Sequence, residues 1–250
     1  MLISINHKNK TYKADLDKPI DISIPLRASK DNVTCWYVAP PRFEPVKNGD
    51  WIGDVNQGGS VNFRDIYFNP HGHGTHTECV GHISKENYTI NQCLKKFFFI
   101  CEVVTVLPDE MENGDKVITK KMIETVLGGK RPEAIAIRTV SNPASKISFQ
   151  YSNTNPAYIH HEAMTFLVQA GIEHLLIDLP SVDKEKDDGK LLAHHAFWEY
   201  PHNTRSQRTI TELIYIPNSI VDGSFLLNLQ VASFENDASP SKPVLFQLVL

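Results

Sequence analysis

Between residues 97 and 178 the chain alternates apolar, strand-like runs with helices that carry their own start and stop signals. No other feature constrains the fold as much. FFFICEVVTV (97–106) reads as a buried strand. A helix follows with Ile118-Thr119 at its N-cap, an amphipathic body over Lys120 to Leu127, and Gly128-Gly129 as its stop. AIAIRT (134–139) is a short buried strand, a second helix runs from about His161 to Ala170 with Gly171 behind it, and LLID (175–178) is the next strand. Strand, helix, strand, helix, strand at this spacing predicts βαβ units and a partly parallel sheet, hence an α/β fold. Further strands are expected near the start (residues 1–8), over PIDISIPL (19–26), and in the last fifty residues at 210–216, 224–234 and 243–250. Residues 27–69 are rich in Pro, Gly and Asn and predict long loops and short strands. Their aromatics (Trp36, Tyr37, Phe43, Trp51, Phe63) either wall a pocket or pack on their own loop. No repeat or change of composition marks a linker, so residues 1–250 read as one domain.

Composition excludes several classes. A hydrophobic fraction of 41% and a charged fraction of 22% belong to an ordinary globular protein. With a net charge of -4 there is no basic field for a phosphate backbone, so nucleic acid is not an expected partner. The apolar run 97–101 falls far short of the roughly 20 residues that cross a bilayer, so no membrane partner is expected either. The N-terminus alternates like a strand and meets Lys8 and Lys10 early, unlike an export signal. Four cysteines at irregular spacing (35, 79, 93, 101) fit reduced thiols, and a cytoplasmic protein is the expectation.

Chemistry concentrates in NPHGHGTHTECVGHI (69–83). In an extended segment alternate side chains share a face, so His76 and Glu78 point together while Thr77 and Cys79 point away. Imidazole with carboxylate suits zinc, manganese or iron and not an all-oxygen calcium site. Six extended residues would carry His82 roughly 20 Å from His76, so it joins the site only if the chain turns near Gly81, where it could serve as a general acid or base. The remaining ligands must come from elsewhere. Candidates are His160-His161, His194-His195, Asp178, Asp183 and Glu212. His194 lies in an apolar segment and Glu212 in an apolar strand pattern, where an unpaired carboxylate is costly. His160-His161 at a helix start fits capping or surface. His71-x-His73 with Glu78 is similar to a cupin motif, but the glycines of that motif fall on Asp65 and Lys85. A Cys79–His82 nucleophile pair would need Cys79 to face the site, and it faces away.

Taken in order, these residues resemble the metal-dependent cyclase-like hydrolases, the family of bacterial-type kynurenine formamidase and isatin hydrolase, whose signature is H-x-G-T-H-x-D-x-x-x-H. Gly74-Thr75-His76-Thr77-Glu78 through His82 matches it with Glu78 for the aspartate. Ile20-Asp21-Ile22-Ser23, Arg138-Thr139 and the Ile177-to-Asp183 segment resemble further family segments, and His194 and Glu212 fall where the family places its later ligands. The resemblance implies a swivelling β/β/α domain with a mixed central sheet. It implies that His76, Glu78, His194 and Glu212 hold one or two divalent ions, zinc or manganese, with His82 as acid/base. The implied activity is hydrolysis of a C–N amide, ester or lactam bond in a small cyclic or aromatic substrate, arylformamidase being the nearest named case, by a homodimer. The family's first histidine aligns with Gly72, so a one-residue bulge must bring in His71, or else His73 takes the place. Two rival readings are a member that only binds metal or ligand, which Gly72 favours, and a cupin-like oxygenase, which requires a wholly β fold.

Overall fold

The computed structural model describes residues 1–249. Its centre is a ring of seven strands. Phe98–Val106, Ala134–Thr139 and His174–Ile177 are buried almost throughout, the pattern of parallel strands covered on both faces. We label the strands in chain order: β1 (Leu2–His7), β2 (Lys10–Asp15), β3 (His76–Glu78), β4 (Phe98–Val106), β5 (Ala134–Thr139), β6 (His174–Ile177), β7 (Thr209–Glu212), β8 (Gly223–Val231) and β9 (Ala238–Val249). Strands β4, β5, β6 and β7 run parallel to one another. Antiparallel pairs β7–β3, β3–β9, β9–β8 and β8–β4 return to the start, so the mixed sheet closes on itself. The β1–β2 hairpin extends the far end of β9.

The predicted βαβ order is present. Helix α1 (Lys120–Leu127) starts behind Thr119 and stops at Gly128, whose φ of 53° no β-branched residue would take readily. Helix α2 (His161–Gln169) ends one residue before the expected Ala170. A third helix, α3 (Leu192–Trp198), was not legible in the sequence. All three pack outside the ring, where Ile123, Leu127, Met164, Leu167, Phe197 and Trp198 meet the outward side chains Val104, Ile135, Ile137, Leu175, Ile177 and Ile210. Inside lie smaller or complementary groups, among them Ala134, Ala136, Val103, Leu176, Phe225 and Leu227. Helices on the ring exclude the wholly β cupin reading.

Three expectations need adjustment. The strand expected over 19–26 is reduced to Ile20–Asp21 and a bridge from Ser23 to Ile214. The run expected at 210–216 leaves the sheet after Glu212, where Leu213 takes a φ of 54°. The last strand starts earlier than predicted, at Ala238, and the final residue of the 243–250 expectation, Leu250, lies outside the described residues. In the loop region, Arg42–Pro45 pairs with Arg64–Tyr67, and Trp51 packs on Phe63 with ring centres 6.3 Å apart. These two aromatics pack on their own arm and do not wall the site.

Candidate metal centre

Strand β3 is three residues long and carries two of the candidate ligands. Thr77 points into the ring, its hydroxyl 2.8 Å from that of Thr211 on β7. His76 and Glu78 therefore face outward, as does Glu212, the Cα partner of His76 across the β7–β3 pair. Both His76 and Glu78 are fully buried beneath α3 and the loops around it. Thr75 locks the entry to the strand: its hydroxyl accepts from the Ile24 N–H at 2.7 Å and donates to the Leu213 carbonyl.

The turn that His82 requires is a 3₁₀ turn over Val80–His82. It brings His82 Nε2 to 3.8 Å from Glu78 Oε2. Gly81 is what lets it pack, because a Cβ there would lie 2.1 Å from the Tyr88 carbonyl oxygen. Gly72 answers the question of the missing histidine. A Cβ there would press into Val38, 2.7 Å from its Cγ2, with the Cys35 carbonyl oxygen at 3.3 Å. His71, one residue earlier, is the histidine that comes beside the cluster, with Nδ1 3.2 Å from Glu78 Oε2.

His194 stands in the first turn of α3, held by Asp183. One carboxylate oxygen of Asp183 accepts from the Ala193 N–H at 2.9 Å; the other accepts from the His194 N–H at 3.1 Å and from His194 Nδ1 at 2.6 Å. His194 Nε2 is thereby aimed at Glu78 Oε1 (3.1 Å) and Glu212 Oε1 (3.9 Å). Glu212 is fixed by the Val182 N–H, which donates to Oε1 at 3.0 Å, and its Oε2 lies 3.4 Å from His76 Nε2. His76 Nδ1 donates to the Gly74 carbonyl at 3.0 Å, so in the neutral ring Nε2 carries the lone pair.

The electrostatics are those of carboxylates and imidazoles sharing protons in a dry place. Burial opposes the charge on Glu78, but His82, His194 and His71 outweigh it and hold the carboxyl well below its usual range. Burial likewise opposes the charge on His71 and His194. Asp237 and Glu78 raise the first to about 10, and Asp183 and Glu78 raise the second to about 10. Two buried atoms stay unsatisfied: His76 Nε2 and Glu78 Oε2 have Glu212 Oε2 at 3.4 Å and His71 Nδ1 at 3.2 Å, but neither contact has the geometry of a hydrogen bond. Leaving such lone pairs dry and unpaired is costly unless a ligand meets them. Ligand atoms of His71, His76 and Glu78 lie within 4.8 Å of one another, as do those of Glu78, His82 and His194, a spread one cation can span. The residues present thus fit a divalent ion bound by nitrogen and carboxylate oxygen.

Above the cluster opens a cleft of about 330 Å³. His71, His82, His194 and Glu212 form its floor, and Trp36, Leu191, Ser181 and Lys184 are among its walls. Of the loop aromatics, Trp36 is the one that lines it.

Other residues singled out by the sequence lie elsewhere. His73 pins two loops, accepting from the Asn69 N–H at Nδ1 and donating from Nε2 to the Ala39 carbonyl, both at 2.8 Å. Asp178 accepts from Thr139 and from Lys146 Nζ (2.7 Å) and does not reach the cluster. His160 caps α2 and stacks on His161, and His195 bonds the Tyr200 carbonyl at 3.1 Å. Cys79 is buried on the inner face, its thiol pushed up by a contact with Cys93 and by burial, so it is no nucleophile. The residue that sequence reasoning missed is Asp237. It sits in the loop before β9 and contacts both His71 and His82. The stretch SFENDASPSKP around it carries no signal that separates it from a solvated turn.

Comparison with known proteins adds a family and a fold. A family model described as "Putative cyclase" matches residues 20–184, a span that holds the histidine stretch and Asp183 and stops short of His194 and Glu212. No curated protein matches the sequence. Among solved structures, a predicted metal-dependent hydrolase from Bacillus stearothermophilus aligns with a TM-score of 0.64 at 16% identity, over 92% of this chain and 98% of that one. Isatin hydrolase A from Ralstonia solanacearum gives 0.66 at 14% identity, over 93% and 92%. An isatin hydrolase bound to the product analogue thioisatinate gives 0.65 at 13%, over 92% of each chain. At these identities the likeness is one of fold.

Proposed function

The chain belongs to the cyclase family, and from that premise we propose that it is a metal-dependent hydrolase that opens a C–N amide bond, or a related ester or lactam bond, in a small cyclic or aromatic substrate. One observation carries the reading: the buried His76 Nε2 and Glu78 Oε2, which make no hydrogen bond, lie against Glu212 and His194, two residues that line an open cleft. His71, His76, Glu78, His194 and Glu212 would hold a divalent ion, zinc or manganese. Such an ion supplies Lewis acidity, which brings the pKa of a water molecule from about 16 down to about 7.

The chain's own groups supply the rest. His82, half-exposed at the cleft floor, has Nε2 turned toward the cluster, where it can take a proton from the attacking water and return it to the leaving nitrogen. The water oxygen ends in the new carboxyl group, the C–N bond breaks and the nitrogen takes that proton, while the carboxyl group's remaining proton passes to solvent; in a lactam the amine stays attached to the opened ring. Trp36 offers a flat apolar wall to a ring, while the Lys184 ammonium at the rim is held by Asp115 at 2.8 Å. The isatin hydrolases are named for a lactam, which makes lactams and N-aryl formamides the first compounds to assay; arylformamidase is the nearest named activity. The binding-only alternative drew its support from Gly72; His71 beside Glu78 supports the full ligand set instead. A cytoplasmic homodimer belongs to the same reading, and sedimentation velocity tests the dimer.

Metal analysis of the purified protein beside His76→Ala and Glu212→Ala, followed by hydrolysis assays with His82→Ala, is the test. We expect about one or more equivalents of divalent metal in the parent, loss of most of it in both variants, and retention of metal without turnover in His82→Ala. A parent free of metal, or variants that keep it fully, would overturn the reading.

A further inference from the structure

Asp237 offers one oxygen, Oδ2, to two imidazoles: His71 Nε2 at 2.9 Å and His82 Nδ1 at 3.2 Å. An ionised carboxylate only accepts, so both of those nitrogens carry their proton, and each ring must present its other nitrogen elsewhere. For His71 that is Nδ1, 3.2 Å from Glu78 Oε2; for His82 it is Nε2, 3.8 Å from the same oxygen. The two rings stack with centres 4.3 Å apart, as the shared anchor requires. Asp237 is in turn fixed by the sheet. Its carbonyl accepts from the Cys79 N–H at 3.0 Å, and the next residue, Ala238, is the Cα partner of Glu78 across β3 and β9.

We infer that Asp237 is the positioning residue of this centre, one carboxylate that turns His71 into a metal ligand and His82 into a base. The first ligand stands at 71 and not at 72, and it arrives from a loop with no strand to orient it. Asp237 supplies that orientation from the opposite side of the ring closure, as Asp183 does for His194. Carboxylates behind ligand histidines fix the ring and the tautomer and raise basicity. Here one carboxylate does so for a ligand and a proton carrier together, which couples metal binding to proton transfer. The assignment of roles to His71 and His82 rests on the hydrolase reading; the hydrogen bonds and tautomers do not.

The test uses Asp237→Ala, Asp237→Asn and Asp237→Glu in the full chain. Proton–nitrogen NMR of the histidine rings, with and without zinc, should show in the parent, among the other hydrogen-bonded ring protons, one on His71 Nε2 and one on His82 Nδ1. Both should vanish in Asp237→Ala and return in Asp237→Glu. Zinc competition should show affinity falling about 10- to 100-fold in Asp237→Ala with unchanged stoichiometry, the usual effect of losing such a partner, and partly recovering in the Glu variant. On any amide the parent cleaves, kcat should fall by more than KM rises. Unchanged ring protons in the Ala variant would overturn the inference. So would loss of a whole zinc equivalent, which would make Asp237 a ligand beside His71 and His82. Should Asp237→Ala fail to fold, Asp237→Asn keeps the shape with a neutral acceptor: its ring protons should stay while zinc affinity falls, and parental zinc affinity in it would overturn the inference. A parent that cleaves no amide but shows the expected proton and zinc changes would sink the hydrolase reading and leave this one standing.

Discussion

At the scale of single residues, the centre depends on which backbone position faces it and not on the count of histidines. Alternation along a strand made His76 and Glu78 legible, because period two is local. It could not choose between His71 and His73, since neither lies on the strand. The choice is made by Gly72, whose missing Cβ lets the loop press on Val38 while His71 turns inward. His71→Ala combined with Gly72→His should therefore bind zinc no better than His71→Ala alone in a competition titration, although it restores the family's residue. Recovery of parental affinity would show that position 72 can reach the ion after all. A second prediction concerns His174, a buried ring 3.9 Å from Phe99 whose Nδ1 meets Thr209 Oγ1 at 2.8 Å. Burial, with a small contribution from Lys96, lowers its pKa from 6.5 to about 3. A depressed folded value means that the unfolded chain binds the extra proton first. Stability is then full above pH about 6.5 and is lost as pH falls toward 3, by about 1.4 kcal/mol per unit. Between pH 6.5 and 5 the parent should lose about 2 kcal/mol in urea titrations from this group, and His174→Gln should show a flatter acid limb.

At the scale of elements, the helices with caps in the sequence were readable and the one that carries His194 was not. Helix α1 is bracketed by Thr119 and two glycines, so its ends are written locally. Helix α3 has seven residues and follows Leu191, which has a φ of 44° and cannot cap through its side chain. Its capping oxygen comes from Asp183, whose carboxylate takes the N–H groups of Ala193 and His194. A cap supplied from ten residues away leaves no N-terminal signature beside the helix. The same carboxylate aims His194 Nε2, so Asp183→Asn should weaken the first turn and lower zinc affinity about 10-fold or more, measured by competition and compared with a remote surface variant. The 3₁₀ turn after β3 was readable only as a permission given by Gly81. Its necessity appears in the 2.1 Å approach that a Cβ would make to the Tyr88 carbonyl oxygen. Gly81→Ala must shift that turn, and with it His82. We expect about 1–3 kcal/mol of lost stability by chemical denaturation, the usual cost of overpacking, together with a drop in kcat larger than in zinc affinity. A Gly81→Ala protein with parental kcat would show that the turn does not place the proton carrier.

At the scale of the whole molecule, the centre is built on the strand that closes the ring. The parallel series β4 to β7 follows from βαβ spacing and was legible. Closure was not, because three residues of β3 must pair with β7 on one side and β9 on the other across more than 130 positions of sequence. Asp237 was hidden for the same reason, since it reaches the histidines only once β9 has been laid beside β3. So short a strand offers few backbone hydrogen bonds, and among the described residues the groups that reinforce it are the threonine pair inside and the His76, Glu78 and Glu212 cluster outside. A cation drawn to those three side chains would thus tie β3 to β7 directly, and binding free energy would become closure free energy. An ion present at about 1,000 times its Kd stabilises by about 4 kcal/mol, which for a chain of 150–250 residues raises Tm by roughly 8–16 °C. The distribution of that gain is the sharper expectation. Amide exchange on zinc addition should slow most at 76–78, 209–212 and 238–240, and least in the β1–β2 hairpin, which hangs from the far end of β9. Equal slowing across the ring would mean that zinc stabilises the fold globally without being the clasp of its closing strand.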